Sequence, residues 1–361
     1  MRIFVDATAA CRPVRTGIAR YTIRLVQGLQ ALAAAGNGDA LGVALRLSRW
    51  RDRGLCFRPA GLPVQWMAEP LWPLRVRADV VHGTDARVPA WRGVARIATI
   101  HDAALFLFPH HASRRFRDRM RRQWSRTAAV ADALIADSEA SRQDFARLFG
   151  YPLARIHRVA LAIDPQYRPQ PAQAMEPVMA RYGLHGPYLL YLGELARRKN
   201  FENQVRGYAA SPLQRDLPLV LAGPDSVGSE VLADLVRQLG LQGRVRRLGF
   251  VPDEHLPALY SGAAAFLFAT DYEGFGMPVL EAMACGTPVV GGNRGAVPET
   301  AGGHAALADP EQPDAIAAAI AQAVAFTPAQ RDAARAHAAG FTWERCVRET
   351  RAVYSRVTGL P

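Results

Sequence analysis

Two parallel α/β domains are what this chain of 361 residues predicts, and three observations predict them. Short apolar runs alternate with helical patterns along the whole chain, as in parallel sheets covered by helices. Most of the better-defined runs end at a glycine-bearing loop or a short polar turn that opens into the next helix, the arrangement with which open α/β sheets hold ligands. The length exceeds one ordinary core and suits two. The boundary is expected where proline and glycine crowd together, at Pro165, Pro169, Pro171, Pro177, Gly183 and Gly186. This places the domains at residues 1–168 and 169–340, with a last helical segment at 341–361.

Half of the residues are apolar and 21% are charged, a globular balance. No apolar run approaches the ~18–20 residues of a membrane span. The start MRIFVDATAA is a strand pattern without a basic leader or a small-residue cleavage site, so the protein is expected to stay in the cytoplasm. Cys11, Cys56, Cys285 and Cys346 show no paired spacing, which argues against a zinc site and a disulfide framework and for packing residues or free thiols. The formal charge of +12 asks for an anionic partner: nucleic acid, anionic lipid headgroups or a phosphorylated substrate. No zinc-finger, RRM or KH pattern appears, so nucleic acid is not expected. A coding bias toward Arg and Ala explains part of the excess.

The elements follow in order. Arg2–Ala7 reads as the first strand, and Gly17 opens a helix through Leu29 after the loop Thr8–Thr16. A glycine at such a junction lets backbone approach a ligand, although a tight turn also uses one. Ala40–Leu47, Val64–Met67 and Asp79–Gly83 are further strands. Ala95–Ile100 is a strand that delivers His101 and Asp102 to its carboxyl end, where the pair is either a capped loop end or part of a site. Ser113 is a plausible N-cap for a basic helix in which Phe116, Met120 and Trp124 form a core-facing stripe. Its arginines, Arg115, Arg119 and Arg122 among them, are either solvated or meet phosphate on an acceptor or a membrane surface. Ala133–Asp137 is a strand leading through Ser138–Glu139 into a helix at 140–149.

After the boundary, Tyr188–Leu192 begins a new strand, and Gly193 to Asn200 forms a loop entering a helix. There Arg198 and Lys199 can bridge to a diphosphate as a guanidinium fork and a point charge, or stand as a surface basic triplet. Leu217–Ala222 and Val245–Phe250 are strands, and Ala263–Ala269 is a buried one. Gly274 and Gly276 then turn the chain into a helix over 278–285, started by Pro278 at its first position and stopped by Gly286. Its free N–H groups suit a phosphate in the Gly274–Gly276 loop, with Glu273 at the loop mouth and Glu281 one turn in. Taken singly, Glu281 is a first-turn acid and Glu273 a solvated loop residue. Val289–Val290 is a strand, Asp314–Val324 an Ala-rich helix, and Phe341–Thr342–Trp343–Glu344 starts the last helix, to about Val357.

The combination E-G-F-G-M-P, a second glutamate at the eighth position and A-C-G-T-P-V-V resembles the E-x7-E signature of retaining glycosyltransferases of the GT-B type, in family 4. The resemblance covers nearly the whole chain, sharpest over 188–300 and loosest over 35–75. It implies two Rossmann-like domains with parallel sheets facing a central cleft, the donor held by the second and the acceptor by the first, with the last helix crossing back. It implies that Glu273 binds sugar hydroxyls and that Glu281 holds the ribose diol. Gly274, Phe275 and Gly276 cradle the donor, while Gly193, Arg198, Lys199 and Asn200, matching G-x4-R-K-N, serve its diphosphate. His101 contacts the sugar, Asp102 lies on the acceptor side, Gly17 borders the diphosphate, and Val251 sits at the nucleobase edge. Many members carry an arginine where this chain has Glu194, so one phosphate contact is either missing or supplied by Arg197.

No D-x-D triplet occurs, so neither a metal nor a cofactor is expected; fixed cations and a helix end stand in for the metal. No second carboxylate is placed as a nucleophile. The expected reaction moves a hexose, mannose from GDP-mannose first, onto a hydroxyl of a glycan or polyprenyl-linked acceptor in bacterial surface polysaccharide assembly. An anionic membrane surface is a further expected partner. A UDP- or dTDP-sugar donor (glucose, rhamnose), a nucleotide-sugar epimerase of the same architecture, and a catalytically silent donor- or membrane-binding subunit are the alternatives.

Overall fold

The structure is a computed structural model and describes residues 1–11, 16–67, 77–89, 91–226 and 228–361. The expected loop Thr8–Thr16 therefore lies partly outside the described residues. Contacts divide the chain into one unit of Met1–Ala162 with Thr342–Pro361 and a second of Ile163–Phe341.

In the first unit the strands are β1 (Arg2–Asp6), β2 (Ala40–Arg46), β3 (Val64–Met67), β4 (Val80–Gly83), β5 (Ala95–Ile100), β6 (Ala133–Ala136) and β7 (Ile156–Arg158). They form one parallel sheet in the order β3-β2-β1-β4-β5-β6-β7. The order reverses between β1 and β4, which opens a crevice at the carboxyl ends of those strands. Under β5 and β6, the side chains of Ile100, Leu134, Trp124 and Phe145 form one apolar cluster. Helices start where an oxygen side chain caps them: Thr16 accepts from Ala19 N, Ser113 from Phe116 N and Ser138 from Ser141 N.

The last helix, Trp343–Thr358, belongs to this first unit. Gly28 lets it approach the helix Gly17–Ala34, because a Cβ there would stand 2.5 Å from Val347 Cγ2. A buried polar chain then ties it to the sheet: His82 Nδ1 lies 2.6 Å from Tyr354 Oη, His82 Nε2 lies 2.8 Å from Thr99 Oγ1, and Tyr21 Oη lies 2.9 Å from the same hydroxyl. Arg351 adds an ion pair to the buried Asp39 at 2.6 Å.

In the second unit the strands are β8 (Tyr188–Leu192), β9 (Leu219–Ala222), β10 (Val245–Gly249), β11 (Ala263–Phe268), β12 (Val289–Gly292) and β13 (Ala306–Ala308). Their parallel order is β10-β9-β8-β11-β12-β13, with the reversal between β8 and β11. Leu189, Leu219 and Leu267 from the sheet pack with Phe201 and Ile316 from the helices in one core.

The proline-rich stretch where the boundary was expected holds a helix, Ala172–Arg181, which runs through Pro177. Three expectations are corrected. The glycine-started helix covers Met277–Ala284, so Pro278 is its second residue, not its first. Phe116 does not join the core: it is 41% exposed, while Trp124 at the other end of the stripe is buried at 8%. The first turn of that helix runs beyond the apolar cluster, and Arg119 stacks over the Phe116 ring instead, 5.1 Å from its centroid. Finally, Cys11 and Cys56, 45 residues apart, are paired as a disulfide. Parallel pairing of β1 with β2 brings the segments after both strands to the same sheet edge, a proximity that spacing along the chain does not reveal. Cys285 and Cys346 are free and buried.

Candidate active site

In the second unit, two loops meet at the reversal of strand order. One follows β8 and carries Gly193 to Asn200; the other follows β11 and carries Thr270 to Gly276. Lys199 Nζ and Glu273 Oε1 join them at 2.7 Å, both side chains 15% exposed. An ion pair so far withdrawn from bulk water is screened little, yet it keeps an edge toward solvent where a ligand can compete for either partner.

Asn200 explains why Lys199 stands there. It occupies the left-handed region at φ 52°, which asparagine tolerates. Its buried amide donates to Ala269 O at 2.9 Å and Pro310 O at 2.7 Å. Both amide hydrogens are thus spent on the scaffold, where Asn200 clamps the loop that carries Lys199. Gln204 reinforces it, donating to Lys199 O at 2.8 Å and accepting from Ala269 N at 3.2 Å.

Behind Glu273 the backbone is held by Ala296 N, which donates to Glu273 O at 2.9 Å. The neighbouring Gly295 has to be glycine: its φ is +61° and a Cβ would stand 2.8 Å from Glu273 O. Phe275 is buried, and its carbonyl accepts from Thr300 Oγ1 at 2.5 Å. Gly276, at φ +91°, turns the chain into Met277–Ala284, a helix whose N-terminus receives no side-chain cap. The positive end of a helix with uncapped N–H groups favours an anion. Glu281, on that helix, is buried at 3% and accepts from Tyr260 Oη at 3.3 Å.

The remaining expected residues of this unit are placed less centrally. Arg198 pairs with Glu194 at 2.9 Å, both about half exposed. The glutamate that departs from the family pattern thus takes up part of the charge of Arg198. Arg197 lays its stem against Gly228. Gly193 directly follows β8 at φ +152°. Val251 is buried, whereas Phe250 beside it is 64% exposed and was not singled out by its sequence context.

In the first unit, Gly17 begins the helix after β1, and β5 delivers His101 to the crevice edge. His101 Nδ1 lies 2.6 Å from Asp137 Oδ2, and Nε2 lies 2.8 Å from Thr84 O. A carbonyl only accepts, so the Nε2 proton is fixed. Burial pulls the imidazole down, but the Asp137 carboxylate, by charge and by hydrogen bond, outweighs it and pushes the pKa of His101 up to about 9. Burial also raises Asp137. The cationic imidazole is the state supported by having acceptors on both ring nitrogens. His82, fully buried, goes the other way, to about 3, because burial and the neighbouring His101 both disfavour its charge.

Asp102 spends one oxygen on Ala104 N at 3.0 Å. Arg115, Arg119 and Arg122 are exposed on the basic helix and share a shallow depression with Ser113 and Phe116. Asp137 and Thr84, which hold His101, escaped the sequence reading, although Asp137 directly precedes the Ser138–Glu139 pair noted there. The buried ion pair of Arg46 with Asp6, at 2.7 Å, escaped it as well. Among the described residues, no three His, Cys, Asp or Glu side chains are grouped to hold a metal ion.

Two family descriptions match the chain: glycosyltransferase family 4 over residues 15–167 and glycosyl transferases group 1 over residues 183–338. O-antigen chain mannosyltransferase B of Escherichia coli is 36% identical over 287 residues, which cover 77% of this chain and 75% of that protein. The serotype-specific mannosyltransferase WbdA of the same organism is 30% identical over 225 residues, 59% of this chain but 27% of that longer protein. Among solved structures, Anabaena Alr3699/HepE in complex with UDP aligns with a TM-score of 0.74 at 18% identity, covering 98% of this chain and 99% of that one.

Proposed function

This chain belongs to the family 4 glycosyltransferases of GT-B fold, and we propose that it moves mannose from GDP-mannose to a hydroxyl of a glycan or lipid-linked acceptor in surface polysaccharide synthesis, with retention of anomeric configuration and without a metal. The observation that carries the reading is the Lys199–Glu273 pair at the strand reversal of the second unit, next to an uncapped helix N-terminus. A cation and a carboxylate held there suit a ligand that carries both a diphosphate and sugar hydroxyls. Mannose is favoured by the Escherichia coli O-antigen relative, and a nucleotide-sugar by the UDP bound to the Anabaena neighbour.

In this reading the bond from the anomeric carbon to the diphosphate oxygen breaks, one to the acceptor oxygen forms on the same face, and the acceptor's hydroxyl proton passes to the departing diphosphate. Lys199, Arg198 and the helix end at Gly276 stabilise the charge that grows on the departing diphosphate, the electrostatic form of catalysis. Donor binding releases Lys199 from Glu273 in part, freeing the carboxylate for sugar hydroxyls. Glu281 takes the ribose diol. His101, a cation whose two ring N–H groups are held by Asp137 and Thr84 O, is assigned to the sugar through its charge and not through a hydrogen bond. The expected setting is the cytoplasmic face of an anionic membrane, which the basic helix would meet; among the described residues no helix is long and apolar enough to cross one.

The test is a donor panel of GDP-mannose, UDP-glucose and dTDP-rhamnose, read as acceptor-dependent nucleotide release, with the product's anomeric configuration set by NMR. Release of GDP is expected. Release of UDP or dTDP instead overturns the donor, sugar interconversion without an acceptor indicates an epimerase, and binding without turnover indicates a silent subunit.

A further inference from the structure

Within the first unit, a cavity of about 380 Å³ lies against the end of β2, the segment following β4 and the basic helix Arg114–Val130. Its size falls at the low end of small-molecule pockets, about 300–1,000 Å³. Arg46, Arg87, Arg119, Arg122, Gln123 and Arg126 supply its polar wall, with the side chain of Val88 beside them. The arginines come from three separate segments of the sequence, so their convergence is a product of the fold.

Their charge is only partly cancelled. Arg46 is paired with Asp6 at 2.7 Å, and Arg87 Nε stands 3.5 Å from Asp85 Oδ2. Arg119, Arg122 and Arg126 have no carboxylate partner among the described residues; Arg119 has only the Phe116 ring. In the wall Gln123 Nε2 is buried with no hydrogen-bond partner among the described residues, and the buried Arg87 Nε makes no hydrogen bond beyond its 3.5 Å approach to the Asp85 carboxylate. Buried donors normally find acceptors, and one left without is costly. Solvation accounts for the arginines of the helix taken singly, which are exposed, but not for the buried Gln123 amide donor in the cavity wall or for the convergence of five guanidinium groups on it.

A wall made of guanidinium and amide N–H groups wants a ligand that only accepts. A carboxylate offers two oxygens and one charge. A phosphate ester offers three free oxygens and up to two charges, and guanidinium forks match it geometrically. We propose that this cavity seats a phosphate or diphosphate group, and that the acceptor of the transfer is a phosphorylated molecule held by that group. Calling the molecule an acceptor rests on the transferase reading, whereas the anion site stands without it. A lipid-linked diphosphate and a soluble phosphorylated sugar share this chemistry.

The test is arginine footprinting of the full chain with phenylglyoxal, read by peptide mass, with inorganic pyrophosphate as the probe. Pyrophosphate should slow modification of Arg119, Arg122 and Arg126 severalfold and leave Arg114 unchanged. Calorimetry on Arg122→Gln and Arg126→Gln, exposed positions where the fold is not at stake, each compared with its parent in a Lys199→Ala background that weakens the donor's diphosphate site, should show pyrophosphate binding about tenfold or more weaker. Lys199→Ala, in the other unit, should keep this protection. Phosphatidylcholine vesicles with increasing phosphatidylglycerol assign the source: protection of the same three arginines by the vesicles supports a lipid headgroup, and protection by pyrophosphate alone supports a soluble phosphate. Equal modification rates with and without pyrophosphate overturn the site. Uniform protection extending to Arg114 and Arg115 also overturns it, because that pattern marks diffuse surface charge. Failure of the transferase reading would show in the donor panel and would leave these rates untouched.

Discussion

Replacing Asp137 by asparagine should turn His101 from a cation into a neutral imidazole at physiological pH while keeping its place. In the native protein, burial disfavours the charge and the carboxylate 2.6 Å away overrides it, bringing the pKa to about 9. With the carboxylate gone, burial is opposed only by Thr84 O and the more distant Asp102, so the pKa should fall to 6.5 or below. A fall from about 9 to 6.5 is a loss of about 3 kcal/mol of preference for the imidazolium. The asparagine introduced there can still bond the ring, its amide donating to the unprotonated Nδ1 while Nε2–H stays on Thr84 O. A histidine raised in the folded state stabilises fully below about pH 6.5, and the contribution fades as pH rises through about 9. The stability difference between native protein and Asp137→Asn should therefore shrink across that window. The direct assay is an NMR titration of histidine ring protons, with His101→Gln to assign the resonance. A native His101 that titrates near 6.5, or an Asp137→Asn protein in which it still titrates near 9, refutes the account.

Glu281→Ala should weaken calorimetric binding of free GDP by about 1.5–3 kcal/mol, the worth of a charge-assisted hydrogen bond; unchanged affinity removes Glu281 from the nucleotide site. Activity should persist in EDTA, and full loss restored by Mg²⁺ or Mn²⁺ would show that fixed cations do not replace a metal. Tyr354→Phe should cost the first unit about 1–3 kcal/mol in urea unfolding, because it strands the buried Nδ1 of His82. Since His82 is depressed to about 3, its contribution is complete above about pH 6.5 and is lost as pH falls toward 3. A first unit equally stable at pH 4 and pH 7 would contradict this.

The sequence by itself determined the parallel α/β class and most of the strands, because an apolar run between glycine loops is a local signal. Tyr188–Leu192, Ala95–Ile100 and Val64–Met67 stand where their residues put them. It determined the glutamates, the basic loop and the glycine-started helix as candidates, since Gly276 at φ +91° marks the turn wherever the rest of the chain goes. What weak local signals hid were the edge strands Ile156–Arg158 and Ala306–Ala308, each three residues long, and the helix through Pro177. Only the tertiary structure decided which groups meet. Lys199 finds Glu273 across 74 residues, His101 finds Asp137 across 36, and Arg46 finds Asp6 across 40. The reason is strand order: crossovers place each loop beside loops that are neighbours in the sheet, and no periodicity along the chain records which strands will pair. The same rule seated Asn200 on backbone carbonyls, joined Cys11 to Cys56, and gathered arginines from three separate segments around one cavity.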